Sequence, residues 1–178
     1  MKCKLFDYLK IKSFSTYWDN YGGFAAIVSS PYFRISILIS LIIIMFGSTE
    51  KWYDLPLNVL PNLLGFSIGA YAVVLVLGNG DFWKFIAQDN QDNLFMQINS
   101  SFVHFIFVQV VSIIFALICE SLSTTNSLIA FIGYFLLIYA IFTAFAATLA
   151  ILEVSKYYQV FLIELDKKKK REQAEGKE

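Results

Sequence analysis

The chain has 178 residues, of which 57% are hydrophobic, 17% aromatic and 16% charged, and its mean hydropathy is +0.61. Soluble domains carry about 25% charged residues, so this composition favours a membrane protein. Fourteen basic and fourteen acidic residues leave no net charge, which would argue against a nucleic-acid partner if the charges were evenly spread. The charges are concentrated near the chain ends, so their positions are more informative than their sum. No nucleic-acid partner is expected.

Residues 1–30 are predicted to form an amphipathic cytosolic segment at the membrane interface. Four lysines alternate with apolar residues up to Lys12, and no long apolar stretch precedes a small-residue cleavage site, so a cleavable signal peptide is not expected. The next aromatic residues recur at spacings of three and four, which places their rings on one helical face in the headgroup layer. They are Phe14, Tyr17, Trp18 and Tyr21. A partner-binding helix is the alternative, and Gly22-Gly23 is expected to end either helix.

The first two apolar runs are predicted to span the membrane at about 32–48 and 57–77. Ser30-Pro31 is a favourable helix start for the first span. In the second, Pro61 predicts a kink or a late start. Gly65-x-x-x-Gly69 predicts a face on which another backbone approaches closely, either a helix of the same chain or a second copy of the chain. Trp52 and Tyr53, between the spans, are expected in an aromatic belt.

The third span is predicted at about 102–119, after a long polar loop. Within that loop, the DNQDN sequence at 89–93 lacks the spacing of a calcium site and is interpreted as a solvated loop. His104 is the only histidine, so it is interpreted as a hydrogen-bonded or hydrated side chain at the interface rather than a zinc ligand. Gln109 lies at mid-bilayer depth and needs a partner between helices or a wet cavity.

The fourth span is predicted at about 128–152, and its small residues recur four apart. Ala140, Ala144 and Ala147 belong to a seam that is expected to accept the glycine face of the second span. Beyond residue 152 an aromatic and apolar stripe continues the helix into the cytosol, and residues 167–171 are five consecutive basic residues.

These elements predict an all-α polytopic membrane protein. It has four transmembrane helices at 31–152, an N-terminal interfacial helix within 1–30, and a cytosolic extension of the last helix with a basic tail at 153–178. If both termini are cytoplasmic, Lys51 is the only one of the fourteen basic residues outside, which is a strong positive-inside bias. The expected location is the inner membrane.

Two segments carry a resemblance to a known family. LPNLLGFSIGAYA at Leu60–Ala72, together with FVHFIFVQV at Phe102–Val110, resembles small uncharacterised four-span bacterial inner-membrane proteins. The resemblance covers about the central half of the chain and implies a fold and a compartment, without an activity or functional residues. Small multi-span proteins of this size also look like accessory or effector subunits of anti-phage defence systems, although no motif here connects the chain to one.

The sequence predicts a non-enzymatic membrane subunit. It contains no HExxH, no GxSxG, no paired intramembrane carboxylates and no glycine-rich phosphate loop, so no catalytic, cofactor or metal residues are assigned. The expected protein forms a homo-oligomer and either holds a cytosolic protein through its N-terminal segment and residues 153–171 or perturbs the membrane. The alternative is a small channel or transporter, in which Ser67, Gln109 and Thr143 line a neutral polar pore or make a buried polar contact.

Overall fold

The computed structural model describes residues 2–77, 80–88 and 94–175, and that part of the chain forms helices and no strand. In chain order the helices are α1 (Lys2–Tyr21), α2 (Gly23–Ser29), α3 (Pro31–Phe46), α4 (Asp54–Leu77), α5 (Gly80–Gln88), α6 (Leu94–Ser121) and α7 (Ser127–Glu175). The predicted solvated stretch at 89–93 lies outside the described residues. The prediction of an all-helical protein is therefore confirmed for the described chain.

Three helices are long and apolar enough to cross a membrane, namely α4, α6 and α7. The α2–α3 pair also meets the length and composition criteria, but it bends by 55° between Ser29 and Pro31. Counted as one span, this pair brings the number to four. Helix α7 has 49 residues and is therefore about 73 Å long, more than twice the thickness of a hydrocarbon core of about 30 Å.

Two helices begin earlier than their polar residues suggested. Helix α6 begins at Leu94 rather than near 102, and Asn99 and Ser101 donate hydrogen bonds to carbonyls one turn earlier in that helix. Helix α4 begins at Asp54 and contains Pro61, so of the two predicted alternatives, a kink or a late start near that proline, the late start is wrong. A span tolerates an interior proline because its neighbours and local adjustments compensate for the missing hydrogen bond.

The corner between α1 and α2 depends on two glycines. Gly22 has φ +95° and Gly23 has φ +62°, backbone conformations that residues with a Cβ rarely adopt. Gly23 also lies beneath the Trp18 indole, so a Cβ there would be 3.3 Å from its Nε1 atom. The chain therefore turns at the Gly-Gly pair and enters α2.

Helix α7 is the centre of the helix bundle, since it packs against α3, α4, α5 and α6. Helix α1 packs against α6. Two buried clusters lie along its length. The Trp52 cluster includes Trp52, Leu60, Ala116, Tyr134, Leu137 and Ala140, and the Phe102 cluster includes Val74, Phe82, Phe102, Ala147, Val154 and Phe161. The second cluster extends the packed core into the part of α7 that exceeds the length of a membrane span.

Trp52 and Tyr53 do not form an outward-facing belt. Their side chains are 2% and 8% exposed, and the Trp52 Nε1–H donates to the Thr124 carbonyl at 3.2 Å. The Tyr134 hydroxyl donates to the Ser48 carbonyl at 3.1 Å in the same region. The first bond joins the α3–α4 connection to the α6–α7 connection, and the second joins it to α7. Buried indole and phenol groups need such polar partners.

Candidate functional site

The most polar buried site of the described chain is centred on His104 in α6. Its side chain is 2% exposed, and both ring nitrogens have hydrogen-bond partners. The Tyr17 hydroxyl lies 2.8 Å from Nδ1, and the Tyr139 hydroxyl lies 3.0 Å from Nε2. The Tyr21 ring stacks on the imidazole, with 3.9 Å between ring centroids and 19° between planes. We call these four residues the His104 cluster.

The His104 cluster is a satisfied network of neutral groups. Burial raises the pKa of the Tyr17 phenol to about 12, with a smaller contribution from Tyr21, so Tyr17 stays protonated at physiological pH. Burial, followed by the neighbouring Tyr139, also raises the pKa of Tyr21. A neutral imidazole donates through one nitrogen and accepts through the other, so one tyrosine hydroxyl accepts and the other donates. The network therefore needs no buried charge.

The His104 cluster joins three helices that are remote in sequence. Tyr17 and Tyr21 come from α1, His104 from α6 and Tyr139 from α7. A second ring contact, between Phe14 and Phe107 with centroids 6.4 Å apart, continues the α1–α6 interface. Thus Tyr17 and Tyr21 face the protein rather than the headgroup layer, and His104 is hydrogen-bonded within the protein.

A groove of about 390 Å³ between α1 and α6 opens beside this cluster. Its lining includes Tyr17 together with Lys12, Thr16, Asn99 and Ser100. The Asn99 side-chain nitrogen donates to the Phe95 carbonyl, while its Oδ1 atom is buried without a hydrogen-bond partner. The groove therefore combines a cation and hydroxyls with the Asn99 amide near the start of α6.

Gln109 forms the second buried polar contact. The side chain is fully buried, and its Nε2–H donates to the Ser67 hydroxyl at 2.8 Å, which connects α6 to α4. Its Oε1 atom is buried without a partner. Thr143 is also buried, but its hydroxyl donates to the Ala140 carbonyl within α7, so it does not join the Gln109–Ser67 pair by that bond.

The predicted packing of Gly65 and Gly69 against the alanine seam of α7 is wrong within one chain. Ala140, Ala144 and Ala147 are at most 4% exposed, as a packed seam requires. Gly65 and Gly69, however, are exposed on α4, and a Cβ built on either would meet no described atom within 4 Å. Helix α4 instead packs inward through a face that contains Leu60, Ser67, Ala70 and Val74. Gly65 and Gly69 lie about 160° around the helix from Ser67.

The glycine at which close approach is required is Gly133 in α7, which lies against Trp52 of the α3–α4 connection. A Cβ built there would overlap three carbons of the Trp52 ring. Gly133 has no small residue four positions away, since Ile129 and Leu137 occupy those places, so no small-residue spacing pointed to it. Its role follows from the long-range contact with Trp52.

A larger groove lies at the far end of α7, against α5. It has a volume of about 710 Å³, and Phe85 and Phe161 contribute apolar surface to it. Five of its lining residues are basic and three are acidic: Lys84, Lys167, Lys168, Lys169 and Arg171, with Asp81, Glu164 and Glu172. Exposed ion pairs join Lys84 to Asp81 and Lys167 to Glu164, and such pairs contribute little stability. We call this surface the basic groove.

Among the described residues, no group of three or more histidines, cysteines or carboxylates could hold a metal ion. Cys119 is buried and free in α6, whereas the side chain of Cys3 lies outside those described. No protein-family model matches the sequence, and no curated protein or solved structure shows significant similarity to it.

Proposed function

We propose that this protein is a non-enzymatic, oligomeric subunit of a bacterial inner membrane that anchors a cytosolic partner. The observation that carries the proposal is the length of α7, which is about 73 Å and packs against the spanning helices at one end and α5 at the other. A single helix of this kind holds an external surface rigidly relative to a membrane bundle. The basic groove is the partner surface, and the partner presents an acidic patch.

The proposed topology has four spans with both termini cytoplasmic. The bent α2–α3 pair supplies the first span, and α4, α6 and the first half of α7 supply the others. This arrangement leaves Lys51 as the single basic residue outside, and it places α5 and the basic groove inside. It also agrees with the resemblance to small four-span bacterial inner-membrane proteins and suits a multi-protein system such as anti-phage defence.

A reporter enzyme fused after Glu178 tests the orientation. We expect a cytoplasmic reporter to be active and a periplasmic reporter to be inactive, because thirteen of fourteen basic residues then lie on the inner side. The matched control places the same reporters after Thr49, in the α3–α4 connection, where the opposite result is expected. A periplasmic reporter that is active after Glu178 would contradict the topology.

Charge reversal in the basic groove tests the anchoring function. We expect Lys169→Glu with Arg171→Glu to reduce co-purification of the proteins encoded by neighbouring genes by about tenfold or more, because attraction to an acidic patch becomes repulsion. Lys156→Glu with Lys170→Glu is the control, since it makes the same change in charge at residues that do not line the groove. Equal losses from both variants, or no neighbouring product with the wild type, would refute the proposal.

A small channel is the alternative function, and one observation favours it. The Gln109 Oε1 atom is buried inside the bundle without a partner, as an acceptor on a narrow polar passage between α4 and α6 would be. Against this, the hydroxyls of Ser36, Ser40 and Thr143 donate to carbonyls of their own helices. A single unpartnered acceptor gives the channel less support than the long α7 and basic groove give the anchor.

A further inference from the structure

The outer face of α4 carries a stripe of polar and small residues that the bundle does not cover. The stripe follows spacings of four and three, so its members lie within about 80° of one another around the helix. They are Asn58, Asn62, Gly65, Gly69, Ala72 and Val76, and all are exposed. We call this set the α4 stripe.

Two asparagines make the α4 stripe different from a lipid-facing surface. Asn62 lies eight residues beyond Asp54, which is about 12 Å along the helix and within the apolar span. Its Nδ2 donates to the Asn58 carbonyl at 3.5 Å, and Asn58 donates in the same way to the Asp54 carbonyl at 2.8 Å. Each of these bonds uses one amide hydrogen, which leaves the amide oxygen available to a neighbouring molecule. Polar side chains at this depth normally face another helix rather than lipid.

We propose that a second copy of this chain docks on the α4 stripe, so that two α4 helices cross in parallel at Gly65 and Gly69. A two-fold axis along the membrane normal brings identical residues of the two chains together, and both copies have the same orientation in the bilayer. An amide donates and accepts, so Asn62 is complementary to its own symmetry mate. Between the asparagine turn and Val76, the two glycines let the backbones approach closely.

The occupant is a second copy because the α4 stripe is complementary to itself. Its asparagine amides can pair with the same amides of the second chain, and its Gly65–Gly69 surface can receive the same surface of the second chain. The stripe carries no charge, so a charged partner has no counterpart there. The nearest large apolar side chains, Phe66 and Ile68, are about half exposed on either side and can close over the crossing point. The α4 stripe lies apart from the basic groove on α5 and α7, so self-association does not depend on the cytosolic partner.

Energy transfer between differently labelled full-length chains in lipid vesicles, followed as the protein-to-lipid ratio falls, tests the proposal. We expect the wild type to associate and Gly69→Ile to weaken association by about tenfold or more, because two branched side chains separate the helices. Asn62→Leu should weaken it about threefold for each interchain hydrogen bond lost. The control is Leu75→Ile, an exposed apolar change about 100° around α4 from the centre of the stripe.

Folding does not confound this experiment. A Cβ at Gly69 meets no described atom of its own chain, so Gly69→Ile should keep the wild-type circular dichroism and melting behaviour in a detergent with one chain per micelle. Weaker association of the folded Gly69→Ile variant with unchanged Leu75→Ile would support the α4 interface. A wild type that remains monomeric at every ratio, or a Gly69→Ile variant that associates like the wild type, would overturn it.

Discussion

Replacing Gly133 by leucine should destabilise the folded protein by about 3–5 kcal/mol, the range expected when a large buried aromatic side chain loses its packing. The Trp52 ring lies directly against the Gly133 backbone, so even the first carbon of a new side chain overlaps it. The indole cannot move without cost, because it is buried and its Nε1–H is bonded to the Thr124 carbonyl. Thermal and chemical unfolding in detergent measure the loss.

Gly69→Leu is the matched control for this substitution. Both glycines lie inside long apolar helices, but a Cβ at Gly69 meets no described atom. With one chain per micelle, Gly69→Leu should change stability by no more than about 1 kcal/mol, in the stabilising direction, because leucine is the better helix former. A large loss at Gly69 together with a small loss at Gly133 would contradict the helix packing described here.

A double-mutant cycle identifies Trp52 as the obstacle. Trp52→Ala alone removes the ring and should itself be costly, but it also clears the space above Gly133. Adding Gly133→Leu to Trp52→Ala should then cost little, which gives a favourable coupling energy of about 2 kcal/mol or more between the two sites. Strictly additive effects would show that the two residues do not compete for the same volume.

Gly133 and Gly69 also show what the sequence could and could not predict about the packing. Long apolar runs predicted the three spanning helices, since lipid requires continuous apolar helices of that length. The Gly65–Gly69 spacing predicted a face of close approach, but spacing carries no information about which neighbour that face meets. Gly133 had no repeated small residue to identify it, because a single glycine suffices where one ring contacts the backbone.

Local polarity misled two further predictions. The residues before 102 looked like a loop because Asn99 and Ser101 are polar, yet their side chains bond back to carbonyls of their own helix, so the helix begins at Leu94. Trp52 had the composition of an interfacial belt, and it is instead enclosed by Phe115 and Tyr134. The partners that enclose it are more than 60 residues away, beyond the reach of any periodicity.

The His104 cluster was hidden for the same reason, since Tyr17 is 87 residues from His104 and Tyr139 is 35 residues from it. A lone histidine in an apolar run indicates only that some partner must exist. Aromatic spacing correctly placed Tyr17 and Tyr21 on one face of α1, but a ring that faces α6 and a ring that faces headgroups produce the same pattern. The choice between them depends on tertiary contacts.

Replacing His104 by leucine should release α1 from the bundle. The change removes two interhelical hydrogen bonds, which average about 0.6 kcal/mol each in membranes, together with a stacked ring pair that contributes about 0.5–1.5 kcal/mol. A total loss of about 2 kcal/mol is expected, and it falls mainly on α1, because Tyr17 and Tyr21 supply its polar and stacking contacts with His104. Hydrogen exchange of the α1 backbone amides measures this release.

The pattern of hydrogen exchange distinguishes local release of α1 from a loss of stability of the whole fold. His104→Leu should speed exchange in α1 while the amides of α7 around Leu137 keep their protection, whereas Gly133→Leu should speed exchange in both. Ile114→Leu, a change on α6 at a side chain that is 51% exposed and does not line the α1–α6 groove, is the control and should leave α1 protected. Tyr17→Phe removes one hydroxyl and keeps the ring, so it should give a smaller release of α1 than His104→Leu. If α1 stays protected in His104→Leu, the His104 cluster does not hold α1, and the Phe14–Phe107 contact and its apolar surroundings are sufficient.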